Sequence, residues 1–136
     1  MNIMLDNGAF APEFAHETDA GADLRSPVDA VVPARGSAAI DTGVHVEIPE
    51  GYTIFLKSKS GLNVKHNLIG EGVVDSGFTG SIKVKLYNLG DQPYQIRKGD
   101  KIIQMVILPC GYCEFTEVEK FAETERGNGG FGSTGR

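Results

Sequence analysis

The sequence predicts an all-β domain, and three observations carry that reading. Apolar and polar residues alternate with period two along several segments, turn residues recur at short intervals, and helical spacing is nearly absent. VHVEIP (44–49) alternates, and so does SIKVKLYN (81–88), with Ile82, Val84 and Leu86 on one face and Lys83, Lys85 and Tyr87 on the other. The denser runs YTIFLKS and KIIQMVILP suit strands covered on both faces. Turn signals separate these segments at 33–36, 49–51, 77–80, 88–92 and 98–100. About nine or ten short strands spaced in this way predict a sandwich, jelly roll or barrel. The one helix candidate is LNVKHN, directly after Ser60 and Gly61.

A chain of 136 residues suits one domain with one core, and its 18 glycines and 6 prolines supply the turns. The apolar pattern lapses from Ala122. Residues 1–121 are therefore expected to pack, and the glycine-rich residues 122–136 to form a flexible arm. A formal net charge of −5 argues against a nucleic-acid partner, which needs a basic face, but allows one small anion held by local positive groups. The opening MNIMLDNGAFAPEF lacks the basic start and apolar run of a secretory signal, and no run reaches membrane-spanning length. A cytoplasmic protein away from membranes is the expectation. CGYC (110–113) sits where a strand runs into a turn, which favours reduced thiols over a redox or zinc site.

Five stretches carry more polar chemistry than turns require. In AGADLRS (20–26), Asp23 lies at a strand start, where a carboxylate reaches a metal or a water. KSKSGL (57–62) gathers two lysines and two serines before Gly61, a setting that suits a phosphate or, equally, a solvated turn. GVVDSGFTG (72–80) and the strand after it read as a hairpin whose tip holds Asp75, placed to orient a water, and Phe78, an aromatic exposed for something flat. In GDKIIQM (99–105), Gln104 interrupts an apolar run and needs partners. The tail RGNGGFGSTGR (126–136) has little to bury, yet carries Arg126 and Phe131.

In this order and spacing the five stretches resemble the five motifs of the trimeric dUTP diphosphatases, from about Ala20 to Arg136. The resemblance implies a distorted jelly-roll or barrel-like domain, a homotrimer with shared active sites, and hydrolysis of dUTP to dUMP and pyrophosphate. That activity keeps uracil out of DNA and supplies dUMP for thymidylate synthesis. It further implies that Asp75 activates the attacking water, and that Phe78 packs under the deoxyribose to exclude UTP. The main chain at Gly72, Val73, Val74 and Lys83 would meet the uracil, and Lys59, Ser60, Gly61 and Gln104 the phosphates. Mg²⁺ would bridge the three phosphates, with Asp23 touching its waters. The tail would close over a neighbouring subunit's site, with Phe131 on the uracil, Arg126 on the terminal phosphate, and Gly132 and Ser133 alongside.

Four features depart from the family's usual pattern. Phe78 stands where tyrosine is most frequent, Lys59 and Thr79 stand where arginine is, and the loop from His66 to Gly72 is a few residues short. A dCTP deaminase shares the fold, but would need a glutamate where this chain has Lys85, and a lysine cannot do a carboxylate's work at neutral pH. A non-catalytic nucleotide-sensing relative is the other alternative; the presence of Asp75 and of the tail speaks against it.

Overall fold

Ten strands and one short helix form among the described residues of the computed structural model, which are residues 1–130. In chain order the elements are β1 (Ile3–Leu5), β2 (Gly21–Arg25), β3 (Ala30–Val32), β4 (Ser37–Asp41), β5 (Val44–Val46) and β6 (Tyr52–Lys57). Then follow α1 (Ser60–His66), β7 (Leu68–Val74), β8 (Lys83–Asn88), β9 (Tyr94–Ile96) and β10 (Lys101–Pro109). The all-β expectation holds, with one short helix as read.

A six-stranded sheet in the order β2-β10-β6-β7-β8-β4 forms the frame, flanked by the pairs β1-β5 and β3-β9. Every strand pairing among the described residues is antiparallel. The inner faces supply one continuous core, including Leu24, Ile54, Leu56, Val74, Ile82, Val84, Leu86, Ile102 and Ile103. In β8 the alternation is clean: Val84, Leu86 and Asn88 are buried while Lys83, Lys85 and Tyr87 face out. That alternation fixes the register, because a slip of one residue would bury two lysines.

The helix starts two residues earlier than the apolar pattern suggests and stops at His66, where Asn67 takes a left-handed C-cap (φ 55°). Asparagine tolerates that conformation better than most residues, so it ends the helix cleanly. The last strand ends at Pro109. Residues 110–130 carry neither helix nor strand, and Phe115 and Phe121 lie exposed. Both cysteines are free thiols. No helix among the described residues is long and apolar enough to cross a membrane.

Candidate active site

The site begins with two neighbouring strands that part company. β7 and β8 pair only at their base, Leu68 to Gly70 against Leu86 to Asn88. Beyond Gly70, β7 continues its ladder with β6, up to Val74 opposite Ile54. β8 pairs with β4 on its other edge from Lys83 to Tyr87, and Ile82 exchanges backbone bonds with Thr42 and Val44 (3.1 and 2.9 Å). The arms expected to form a closed hairpin therefore splay. Between them opens a cleft of ≈ 560 Å³ lined by Leu56, Gly72, Val73, Val74, Asp75, Phe78 and residues 80–83. The facing edges of residues 71–74 and 81–83 have no ladder partner among the described residues. Unpaired backbone donors and acceptors on both walls suit a flat, polar-edged ligand.

Asp75 and Phe78 stand at the mouth of this cleft. The strand leading to Asp75 is fixed by the buried Thr53 hydroxyl, which donates to the Val74 carbonyl (3.1 Å), and Ser76 donates to the Ile48 carbonyl (3.2 Å). The Asp75 carboxylate is exposed and has no hydrogen-bond or ion-pair partner among the described residues, while its backbone carbonyl accepts from the Phe78 amide (3.2 Å). The Phe78 ring folds back over Gly80 so closely that a Cβ there would lie 2.6 Å from Cζ and 2.9 Å from Cε2. Glycine at this position is therefore what lets the ring lie where it does.

A second group assembles at the end of β2, β10 and β6. Asp23, Gln104 and Lys57 are direct cross-strand neighbours and so share one sheet face. A bulge in β10 between Lys101 and Ile103 adds an extra residue. It turns Lys101 and Gln104, three apart, to the same face and buries both Ile102 and Ile103. Asp23 is only 3% exposed. Its Oδ2 pairs with Lys101 Nζ at 2.8 Å and its Oδ1 with Lys59. Burial pushes the Asp23 carboxyl upward, but its bonds to Lys101 and Lys59 outweigh that and hold it below the usual carboxylate range. Sequence reasoning missed Lys101, because only the bulge brings it to Asp23.

Ser60 and Gly61 open α1, directly after Lys59, and are exposed. A Cβ on Gly61 would meet nothing within 4 Å, so packing does not demand glycine there. The half-buried Gln104 amide makes no side-chain hydrogen bond among the described residues. Lys83 lines the cleft and its ammonium lies 3.9 Å from Asp41. Lys85 faces away from the core, with Nζ 5.2 Å from the Tyr87 ring centre, and is not part of the cleft wall. Arg126 donates to the Gly129 carbonyl (3.0 Å) within its own segment and does not line the cleft. Phe131, Gly132 and Ser133 lie outside the described residues.

Among the described residues no three His, Cys, Asp or Glu side chains gather as a metal cage. Asp23 is the buried carboxylate of this group, and both of its oxygens are paired to ammonium groups. Magnesium keeps several waters and takes most of its ligands from substrate phosphates, so it does not need such a cage.

The comparisons with known proteins agree with this geometry. The dUTPase family model matches residues 8–135. A deoxyuridine 5'-triphosphate nucleotidohydrolase of Clostridium acetobutylicum is 40% identical over 134 residues, covering 96% of this chain and 92% of its own. One from Oryza sativa is 41% identical, covering 96% and 77%. The dUTPase of Staphylococcus bacteriophage 80alpha, solved with dUPNHPP, superposes with a TM-score of 0.89 at 35% identity, over 99% of this chain and 98% of that one. A mutant dUTPase from phage phi11 of S. aureus, whose structure reveals the coordination of a structural Mg(II) ion, superposes at 0.82 with 32% identity, over 88% and 97%. The splayed strands, the polar-walled cleft and Asp75 at its mouth are thus those of a chain that belongs to the dUTPase family.

Proposed function

We propose that this chain hydrolyses dUTP to dUMP and pyrophosphate, by attack of water on the α-phosphorus. The observation that carries the reading is the cleft between β7 and β8, with two unpaired backbone edges and a free carboxylate at its mouth. Uracil enters between the edges, and the main chain at Gly72, Val73, Val74 and Lys83 pairs with its polar rim. A narrow backbone slot rejects thymine's methyl by fit and cytosine's amino group by leaving donors unmatched. Phe78 packs under the deoxyribose, where a 2′-hydroxyl would collide.

Asp75 holds a water in line with the α-phosphorus and takes its proton as the new P–O bond forms. The bond from the α-phosphorus to the bridging oxygen breaks, and pyrophosphate carries away the electron pair. Lys59, Ser60, Gly61 and Gln104 hold phosphate oxygens. Lys101 keeps the second oxygen of Asp23 paired when Lys59 turns towards phosphate. Asp23 would reach the waters of a bound Mg²⁺, which would supply charge neutralisation to the phosphates. Residues 122–136 serve as an arm that closes over a neighbouring subunit's site in a homotrimer, bringing Arg126, Phe131, Gly132 and Ser133 to the nucleotide.

A pyrophosphate-release assay with Mg²⁺ and dUTP, dCTP, dTTP or UTP tests the activity. Fast turnover of dUTP alone is expected; equal rates with dCTP would end the proposal. Two variants probe the roles separately. Gly61→Ala should leave the fold intact and stabilise it by about 0.5 kcal/mol, since alanine is the better helix residue. It should nevertheless raise KM for dUTP about tenfold, equivalent to about 1.4 kcal/mol of lost phosphate contact. An unchanged KM would remove Gly61 from the site. Gly80→Ala should displace the Phe78 ring and cut the preference for dUTP over UTP about tenfold in kcat/KM. If that ratio holds, Phe78 is not the sugar gate.

A further inference from the structure

His45 sits in the short edge strand β5, and both of its ring nitrogens face acceptors. Nδ1 lies 2.7 Å from the Thr79 carbonyl oxygen, and Nε2 lies 3.3 Å from Asp6 Oδ1. A carbonyl and a carboxylate can only accept. A neutral imidazole has one N–H and can serve only one of them; the imidazolium has two and serves both. Thr79 is the residue after Phe78. Apart from the turn's own bond between Phe78 and Asp75, no other hydrogen bond to residues 77–80 is recorded among the described residues. The His45 side chain is 18% exposed.

We propose that His45 is a positioning residue for substrate: as an imidazolium it clasps the turn carrying Phe78 to the segment after β1. The proposal rests on Phe78 meeting the sugar, as set out above. The carboxylates around the ring favour the proton. Asp6 follows β1, and Asp41 ends β4, where Ser81 donates to it and Lys83 stands 3.9 Å away. Glu47 lines a shallow depression together with His45 and Thr79, and accepts from Asn2 (2.6 Å). The Thr79 carbonyl is the chief cause of an upward shift of the His45 pKa, opposed by partial burial and aided by Asp6 and Asp41. The sign follows: below the raised value both bonds are made, and as pH rises through it one is lost and the turn is freed.

Two measurements on the full chain test this. In an NMR titration between about pH 6 and 9, the His45 ring should titrate above the ordinary histidine value, and the Thr79 and Phe78 resonances should move with it. In steady state, KM for dUTP should rise about threefold across the same transition while kcat keeps its own pH dependence. His45→Gln should abolish the KM transition. Asp6→Asn, an exposed change that leaves the Thr79 bond possible, should move it to lower pH. A Thr79 resonance indifferent to His45, or a KM transition that survives His45→Gln, overturns the proposal. Absence of dUTP turnover in the wild type would instead overturn the functional reading, and the titration would still decide the clasp.

Discussion

Asp75→Asn is expected to lower kcat for dUTP hydrolysis about a thousandfold, within the usual range for losing a general base, with KM nearly unchanged. Asparagine has the shape of aspartate but cannot take a proton from water. The wild-type carboxylate is exposed and has no partner among the described residues, so its replacement disturbs no ion pair and opens no cavity. Folding stability should therefore change by no more than about 0.5 kcal/mol. The backbone that aims residue 75 is held independently by Thr53 and Ser76, and stays in place. Pyrophosphate release and thermal unfolding, measured side by side, separate chemistry from folding. A variant that keeps its kcat would show that another group activates the water.

The parts of this site differ in how far the sequence discloses them. The placement of Ile82, Val84 and Leu86 inside, with lysines outside, follows from period-two spacing alone, and the turn carrying Asp75 and Phe78 from its glycines at 77 and 80. Those are local properties of contiguous residues. The splay between β7 and β8 is not local: their shared ladder stops at Gly70 and Leu86, while each strand keeps its other neighbour, β6 and β4, further along. Nothing in GVVDSGFTGSIKV distinguishes a closed hairpin from an open one. The bulge in β10 is hidden for a related reason. KIIQM shows no regular alternation, and only its pairing with β2 shows that Ile102 and Ile103 both turn inward while Lys101 and Gln104 share a face. Charge partners such as Lys101 and Asp23 are consequences of that pairing.

The same pairing predicts the largest stability effect. Replacing Asp23 with asparagine leaves the ammonium groups of Lys59 and Lys101 side by side with no counter-charge. Breaking a fully buried pair costs roughly 3–5 kcal/mol. Here the lysine side chains are 22% and 29% exposed and can turn towards water, so a loss of about 2–3 kcal/mol is expected, read as a lower urea midpoint. Its pH dependence identifies the cause. The Asp23 carboxyl is held below its ordinary value in the folded chain, so its contribution is fully present above the unfolded-state value of 3.8. The contribution fades as pH falls through the lower folded-state value. The difference between wild type and variant should stay flat from about pH 8 to 5 and close in acid below that. A difference that persists undiminished into strong acid would mean that Asp23 stabilises the chain by its shape and hydrogen bonds, and that its charge is incidental.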